Sequence, residues 1–268
     1  MGRFATTVEF YGRYREPYPA NFFKAVAQRI GLGGNERLLD VACGPAPLAI
    51  GFAPFVGPCT GLDPEAAMIA AARSAAAQAG VSLSLVQGRL EEFTSEHKFD
   101  FLTIGRAIHW MERGAALRVL EQITSENGHI LICGATSVES VARFAAGHAA
   151  TGAAPVADAW GWVKLYEDAR RRWTTTPDEH YRVDAKAWFE GSRFRELDTI
   201  LVSEEREVTI TDLVGRAFSK SNTSPAVLGE RRAEFEAELT AVLEPFAQEG
   251  VLQEEIVARA SIFARQAS

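Results

Sequence analysis

Short apolar runs alternate with helical patterns between about residues 36 and 133 of this 268-residue chain. Turn residues bound the apolar runs, as is typical of buried strands, and helix-forming residues such as alanine fill the segments between them. The predicted strands are Arg37–Ala42, Thr60–Asp63, Ser82–Gln87, Phe99–Gly105 and His129–Cys133. The predicted helices include Ala66–Ala79, which ends at Gly80, and Gly114–Ile123. Elements that alternate at this spacing predict an α/β fold, with a mostly parallel sheet and helices on both faces.

The pattern changes after Gly134. Residues 136 to about 180 show no strand pattern and hold the aromatic side chains Trp160, Trp162, Tyr166 and Trp173. The elements predicted beyond them are a strand with a charged interruption over Asp198–Ile210, a helix over Thr211–Phe218, one long helix over Ala226–Gln248 and a strand over Ile256–Phe263. We therefore expect a core in residues 1–135, a helical cap insertion in 136–185, and the rest of the core in 186–268. The last two strands are expected to be antiparallel neighbours.

Composition narrows the class of protein. Apolar residues make up 47% of the chain and charged residues 24%, which is typical of a globular domain. The net charge of −7 argues against a broad contact with nucleic acid. No apolar run reaches the ~18 to 20 residues that a membrane span needs. The start of the chain shows no pattern for export. Cys43, Cys59 and Cys133 are too few and too scattered for a disulfide framework or a zinc site. We expect a cytoplasmic protein that binds no nucleic acid, membrane or metal.

The loop after the first predicted strand is the place to look for a ligand, because ligands bind at the carboxyl ends of parallel strands. This loop, Asp40–Pro47, contains one glycine, Gly44. Neither the G-x-G-x-x-G pattern of dinucleotide sites nor a phosphate-binding loop is present. An acid at the end of the strand would also repel a pyrophosphate. The loop therefore predicts a ligand whose nearest group is cationic and which lies close to a backbone of small residues.

Five segments, in order, resemble motifs of the class I S-adenosylmethionine-dependent methyltransferases, in the small-molecule subgroup. They are Tyr11–Pro19, Leu38–Gly44, Gly61–Met68, Gln87–Phe93 and Phe99–Trp110. The step of 23 residues from Asp40 to Asp63 is near the ~20 expected for a nucleoside-binding unit. The resemblance covers residues 8–134 and, more loosely, those beyond 185. It implies a Rossmann-like, seven-stranded fold with S-adenosyl-L-methionine as cofactor and methyl transfer to an oxygen, nitrogen or carbon of a small molecule.

The resemblance also implies roles for single residues. Asp40 would accept from the ammonium group of the cofactor, Asp63 would hold the ribose hydroxyls and Met68 would flank the adenine. Tyr11 and Arg15 would reach the methionine carboxylate. The remaining implied cofactor contacts, several of them through backbone and shape, are Ala42, Gly44, Pro64, Arg89, Leu90 and Ala107.

Each assignment has a plainer alternative. Asp40 can serve the amides of its own loop, and Asp63 can be a turn residue before a proline. Met68 can be a core residue. Tyr11 and Arg15 can belong to an ordinary surface patch.

Three residues depart from the pattern of the family. Alanine stands at positions 42 and 46, where the family has glycine, and Arg89 stands where many relatives have an acid facing the adenine. We expect the two methyl groups to be tolerated where φ is negative and otherwise to weaken cofactor binding.

His109 is the candidate catalytic residue, just past the fourth strand. Methyl transfer expels a neutral thioether, so it depends on alignment and on exclusion of water, and it needs a base only where the acceptor must lose a proton. The alternative is that His109 and Trp110 only shape the pocket. The cap aromatics and Trp188 either line an apolar pocket or form core, and Arg170–Arg172 either steer an anion or form a solvated helix face.

Two other kinds of function stay open at this point. One is a fold relative with different chemistry, such as cyclisation or elimination, because a fold does not determine its chemistry. The other is a non-catalytic binding protein. The acceptor is not predicted, with ring-containing metabolites and small carboxylic acids both open, and the chain is expected to be a monomer or a homodimer.

Overall fold

The computed structural model describes residues 8–138, 161–174 and 183–266. Within them, one sheet contains seven strands: β1 (Leu38–Val41), β2 (Cys59–Asp63), β3 (Ser84–Gln87), β4 (Phe99–Gly105), β5 (Thr124–Val138), β6 (Phe194–Thr209) and β7 (Val251–Arg265). Their order is β3-β2-β1-β4-β5-β7-β6, and the four pairings from β3 to β5 are parallel. The predicted α/β fold with a mostly parallel seven-stranded sheet is confirmed.

Ten α-helices accompany these strands in the described residues: α1 (Val8–Tyr14), α2 (Ala20–Ile30), α3 (Pro47–Phe52), α4 (Ala66–Ala79), α5 (Arg113–Ile123), α6 (Trp162–Arg172), α7 (Ala185–Phe189), α8 (Ile210–Phe218), α9 (Pro225–Leu228) and α10 (Arg232–Leu243). Their ends follow local chemistry. The Glu112 carboxylate accepts hydrogen bonds from the first amides of α5, and Thr209 and Asp212 form a capping box at the start of α8. Helix α4 ends at Gly80, whose φ is 67°.

Two predicted elements of the C-terminal part are wrong in detail. The predicted helix Ala226–Gln248 is broken, because Gly229 has φ 56° and ψ −129°, and short 3-10 turns (Gly229–Arg231 and Glu244–Phe246) flank α10. The predicted interruption of the strand Asp198–Ile210 is absent. Strand β6 runs through the charged segment, because it is the last strand of the sheet and leaves Glu204, Glu205 and Glu207 exposed.

The chain divides into two compact units. The first unit comprises Met1–Pro17, Ala135–Pro177 and Ser203–Val257, and the second comprises Tyr18–Gly134, Asp178–Val202 and Ala258–Ser268. Each unit has its own apolar core. The core of the first includes Trp162, Val214, Phe235 and Leu239, and the core of the second includes Leu39, Leu102, Leu120, Phe189 and Phe263. The second unit contains β1 to β4 and therefore carries the loop predicted to bind a ligand.

Most of the predicted cap, with Trp160 and Tyr181, lies outside the described residues. Trp162 and Trp188 are buried in the cores of the first and second unit, respectively, so the core interpretation is confirmed for both. The indole of Trp173 donates to Glu238 and packs edge-on against Phe235. Arg171 and Arg172 are exposed, in agreement with a solvated helix face. Arg170 is buried, so the interpretation as a solvated face is wrong for this residue. Its side chain is only 3% exposed, because Glu167 and Asn222 accept its hydrogen bonds.

Candidate functional site

The loop after β1 has a left-handed backbone at every second residue. The φ angles of Ala42, Gly44 and Ala46 are 51°, 55° and 60°. The amide of Ala46 donates to the carbonyl of Cys43 (2.8 Å), which closes a tight turn, and the amide of Cys43 donates to the carbonyl of Leu62 on β2 (3.0 Å). The condition under which both methyl groups would be tolerated, a negative φ, is not met. Ala42 and Ala46 thus adopt a left-handed backbone that glycine adopts more easily. For each alanine this conformation costs about 1 kcal/mol or more of folding free energy.

Ala42→Gly tests this strain. We expect the free energy of unfolding, measured with urea, to rise by about 0.5–1 kcal/mol, because release of the strain outweighs the greater flexibility of unfolded glycine. The control is Ala70→Gly, the same chemical change at an exposed position inside α4, where we expect a loss of about 1 kcal/mol. Equal losses in the two variants would contradict a strained loop.

The carboxyl group of Asp40 is buried at the end of β1, with its residue 1% exposed. Its Oδ1 accepts from the hydroxyl of Thr103 (2.7 Å), the register partner of Asp40 on β4, and its Oδ2 accepts from the amide of Ala49 in α3 (3.2 Å). Burial raises the pKa of Asp40 to about 7; the two hydrogen bonds oppose this shift and the charge of Asp63 adds slightly to it. Asp40 therefore serves one backbone amide, as its plainer interpretation requires, although this amide lies in α3 and not in the loop itself. Each carboxylate oxygen still has a lone pair for a further donor.

The second acid, Asp63, links two neighbouring loops. Its Oδ2 accepts from the amide of Gly44 (2.9 Å), and its Oδ1 accepts from the amide of Glu65 at the start of α4 (2.9 Å). Burial is the main cause that raises the pKa of this carboxyl, and the two amides oppose it. Because β1 and β2 are adjacent and parallel, both acids lie near the same edge of the sheet, and the amide of the glycine bonds to Asp63. No cationic side chain is among the hydrogen-bond partners that the described residues provide to either acid.

The other residues predicted near β2 and β3 are placed as follows. Pro64 is exposed, and its carbonyl accepts from the side-chain amide of Gln87 (3.3 Å). Met68 is 4% exposed on the buried face of α4, as a core residue would be, and Leu90 is equally buried. Arg89 has a side chain that is 54% exposed and lies 3.4 Å from Glu91. The guanidinium therefore has a carboxylate partner at the surface.

The segment after β4 turns sharply. Arg106 has φ 56°, and its amide donates to the carbonyl of Cys133 on β5 (3.0 Å). Ala107 is buried, and His109 lies half-buried in a short 3-10 helix, Ile108–Trp110. The rings of His109 and Trp110 are 4.8 Å apart between centroids. This contact supports a role of His109 in shaping its surroundings, and it leaves base catalysis untested.

Tyr11 and Arg15 belong to the first unit. The guanidinium of Arg15 lies 5.4 Å from the centre of the Tyr11 ring, and its Nε lies 3.7 Å from a carboxylate oxygen of Glu16. The two side chains contact each other within that unit, and their role at the methionine carboxylate stays a prediction.

Sequence reasoning missed Thr103 and Arg106. Thr103 is fully buried and bonds to an acid that is 63 residues away in the sequence. Its only signal was its place two residues before the end of β4, opposite Asp40 in a parallel sheet. Arg106 stacks on Tyr18 at 4.9 Å, a contact with no local pattern in the sequence.

The described part of the chain contains no group of three or more His, Cys, Asp or Glu side chains arranged to hold a metal ion. Among its helices, none has the length and apolar character needed to cross a bilayer.

The region that contains the loop after β1 and both acids is similar to known proteins. Residues 38–128 match a family model described as a methyltransferase domain. The ubiquinone biosynthesis O-methyltransferase of Cronobacter sakazakii is 31% identical over 108 residues, which cover 39% of this chain and 44% of that protein. The match therefore spans less than half the length of this curated relative.

Solved structures extend the likeness to nearly the whole chain. The YcgJ protein of Bacillus subtilis is similar with a TM-score of 0.53 and 16% identity, covering 92% of this chain and 98% of that one. A methyltransferase from Thiobacillus denitrificans, solved in complex with S-adenosyl-L-homocysteine, is similar with a TM-score of 0.50 and 17% identity, covering 97% and 99%. Because the sequence identities of these two structures are 16% and 17%, the similarity shows a shared fold.

Proposed function

We propose that this protein uses S-adenosyl-L-methionine to methylate a small molecule, because residues 38–128 match a methyltransferase domain and the chain shares its fold with an S-adenosylmethionine-dependent methyltransferase. One observation carries the proposal: the left-handed loop after β1 begins next to the buried acid Asp40, and its Gly44 bonds to a second buried acid, Asp63, at the end of the adjacent strand. The cofactor brings an ammonium group and a sulfonium to such a site and no phosphate. Two buried acids without a cationic hydrogen-bond partner in the described residues fit a ligand of this charge.

We assign the contacts accordingly. The free lone pairs of Asp40 accept from the ammonium group, and Asp63 exchanges its bond to Gly44 for the ribose hydroxyls. Ala42 and Gly44 let the ligand lie against the backbone. Met68, Pro64, Leu90 and Ala107 shape the adenine end, and the exposed Arg89 lies beside it. The roles of Tyr11 and Arg15 at the methionine carboxylate rest on the resemblance of their segment.

Methyl transfer from this cofactor needs little acid–base catalysis. When bound, the cofactor supplies an electrophilic methyl group on a sulfonium, whose departure leaves a neutral thioether. The chain's own residues then have to position the acceptor in line and exclude water, which are effects of alignment rather than of proton transfer. A base is required only for an acceptor that is protonated at the reacting atom.

A small-molecule acceptor is supported by two observations. The relative from Cronobacter sakazakii is named for ubiquinone biosynthesis, the formation of a small molecule. The net charge of −7 disfavours a polyanionic nucleic acid as acceptor. We propose a monomer or homodimer that works in the cytoplasm without a nucleic-acid or membrane partner.

The direct test is formation of S-adenosyl-L-homocysteine from S-adenosyl-L-methionine in the presence of a library of small-molecule acceptors. The proposal predicts release that depends on one acceptor class and is lost in Asp63→Ala. Binding of the cofactor without any release of S-adenosyl-L-homocysteine points to other chemistry on this fold. Absence of binding in the folded protein points to a non-catalytic protein, in which Ala42 and Ala46 have weakened the site.

His109→Ala tests base catalysis with the acceptor identified in that screen. If His109 is the base, we expect kcat to fall about 10²-fold or more at neutral pH, with KM little changed and partial recovery at high pH. His97→Ala, at an exposed position, is the control and is expected to keep full activity. A rise in KM with an unchanged kcat would show that His109 only shapes the pocket.

Thr103→Val tests how Asp40 is positioned. The hydroxyl of Thr103 lowers the pKa of Asp40, so its loss is expected to raise that pKa above about 7. Because only the ionised acid attracts the ammonium group, the pH at which cofactor affinity is half-maximal should move upward. Thr60→Val is the matched control, since Thr60 pairs with Leu39 and so faces the other side of the sheet from Asp40. Identical pH profiles for the two variants would contradict this role of Thr103.

A further inference from the structure

Arg106 follows the last residue of β4 in a strained backbone conformation. Its φ of 56° is left-handed, which is costly for a residue with a side chain, and its amide donates to the carbonyl of Cys133 on β5 (3.0 Å). The guanidinium lies 4.9 Å from the centre of the Tyr18 ring, which stacks on Phe22 of α2 with 5.3 Å between centroids. All four residues belong to the second unit. Because strained residues cluster at functional sites, this strain makes Arg106 a candidate for a ligand contact.

The left-handed turn places the Arg106 side chain on the same face of the sheet as Asp40. Successive residues of a strand point to opposite faces, so a regular strand would direct residues 105 and 106 to different sides. Tyr18 nevertheless lies close to both, because a Cβ atom at Gly105 would be 3.3 Å from its hydroxyl and its ring contacts Arg106. Gly105 shares its face with Thr103, which donates to Asp40. An acid and a guanidinium therefore lie on one face at the carboxyl edge of the sheet.

The thiol of Cys133 lies within the electrostatic range of both groups. Cys133 is the register partner of Gly105 and so points to the same face. Burial raises the pKa of this thiol, the charge of Asp40 raises it further, and the charge of Arg106 opposes the shift. A ligand at this edge would therefore have an acid as partner for a cationic group and a guanidinium as partner for an anionic one.

The guanidinium of Arg106 is suited to a carboxylate. A guanidinium carries five N–H donors in a planar fork that matches the two oxygens of a carboxylate, and a contact with an aromatic face uses none of them. The ring of Tyr18 restricts the orientation of the side chain, which lowers the entropy that binding costs. Arg106 is half-buried, so its attraction to an anion is screened less than that of an exposed arginine.

We infer that Arg106 binds the carboxylate of the methyl acceptor, which makes the acceptor a small carboxylic acid. The amide of Arg106 is bonded to β5, whereas Asp40, the proposed partner of the cofactor's ammonium group, lies on β1 at the other side of β4. The 3-10 helix that holds the candidate base, His109, begins two residues after Arg106. These positions favour the acceptor over the cofactor as the source of the carboxylate. The inference rests on the proposed function.

The test measures thermal unfolding of the full chain saturated with S-adenosyl-L-homocysteine, which occupies the carboxylate site of the cofactor. The probes are sodium benzoate and sodium succinate, and the controls are the matching amides at the same concentration and sodium chloride at the same ionic strength. We expect at least one carboxylate to raise the Tm beyond its controls, since a ligand of the folded state stabilises it. Arg106→Gln should weaken the apparent affinity about tenfold or more, and Arg106→Lys should recover only part of the loss because lysine lacks the planar fork.

Two further variants separate binding from folding. Arg106→Gly suits the left-handed backbone and is expected to fold, and it should lose the carboxylate effect as Arg106→Gln does. Arg73→Gln, at an exposed position in α4, should bind the carboxylate as the wild type does. The inference is overturned if neither carboxylate exceeds its controls in the wild type, or if the variants of Arg106 keep the effect in full.

A titration with S-adenosyl-L-homocysteine distinguishes the two sources of a carboxylate. The inference predicts that Arg106→Gln keeps affinity for this ligand within about threefold of the wild type. A loss of about tenfold or more would overturn it, because Arg106 would then serve the methionine carboxylate of the cofactor. A carboxylate effect that depends on Arg106, in a protein that does not bind S-adenosyl-L-homocysteine, would support the carboxylate site and contradict the proposed function. Binding of S-adenosyl-L-homocysteine without any effect of the carboxylates would do the opposite.

Discussion

Arg216→Met is expected to lower the free energy of unfolding by about 3–5 kcal/mol, the usual cost of breaking a buried ion pair from one side. Arg216 on α8 is 3% exposed and pairs through both terminal nitrogens with Glu254 on β7, which is fully buried. The same guanidinium donates to the hydroxyl of Ser137 (2.8 Å) and to the carbonyl of Tyr14 (3.2 Å). The substitution leaves the charge of Glu254 inside the unit, where the hydroxyl of Ser137 and the guanidinium of Arg206 (3.6 Å) remain as its partners among the described residues.

Two controls separate charge from packing in that experiment, which uses urea unfolding. Lys164→Met removes one end of an exposed pair on α6 and should cost no more than about 0.5 kcal/mol. The double variant Arg216→Met, Glu254→Met removes both buried charges and should recover most of the loss. A loss below about 1 kcal/mol in the single variant would contradict the importance of this pair.

Asp40→Asn is expected to stabilise the cofactor-free protein and to weaken cofactor binding at least tenfold. The pKa of Asp40 is about 7 in the folded state and near the ordinary value of 3.8 in the unfolded state. The folded protein therefore holds a proton that the unfolded chain has lost, and wild-type stability falls as the pH rises from about 4 to 7. Asparagine has no charge to bury. Its amide also fits the site, because the carbonyl oxygen can accept from Ala49 while the NH₂ donates to the hydroxyl of Thr103.

The measurement compares urea unfolding of wild type and Asp40→Asn at pH 4.5 and at pH 8. The advantage of the variant should be small at the lower pH and reach about 2–4 kcal/mol at the higher one. Affinity for S-adenosyl-L-methionine should fall at least tenfold, because an amide does not attract an ammonium group as a carboxylate does. Asp168→Asn serves as control, since Lys164 lowers the pKa of Asp168 and its loss should slightly destabilise the protein. A pH-independent difference for Asp40→Asn would contradict this account.

Much of the fold could be predicted where local signals and tertiary structure agree. Helix α4 has the predicted bounds, because its alanines favour helix throughout and Gly80 supplies the left-handed residue at its end. Strand β4 also has its predicted bounds. The lengths of β5, β6 and β7 exceed the prediction, since pairing with neighbouring strands extends them through polar residues that carry no strand pattern.

The candidate site was predictable in position but not in geometry. The places of Asp40 and Asp63 followed from the ends of predicted parallel strands. The left-handed backbone at Ala42 and Ala46 did not, because alanine gives no sign of a positive φ and the turn forces it on both residues. The bond between Thr103 and Asp40 depends on strand order, and the burial of Arg170 depends on partners from distant segments. Neither appears in a local pattern.

Isothermal titration of the purified protein with S-adenosyl-L-methionine and S-adenosyl-L-homocysteine tests the central claim most directly. We predict binding at micromolar strength, roughly −8 kcal/mol, with most of the signal lost in Asp63→Ala. Asp100→Ala, an acid at the opposite end of β4, should bind as the wild type does. Absence of binding of both ligands to the folded wild type would contradict a cofactor site at the ends of β1 and β2.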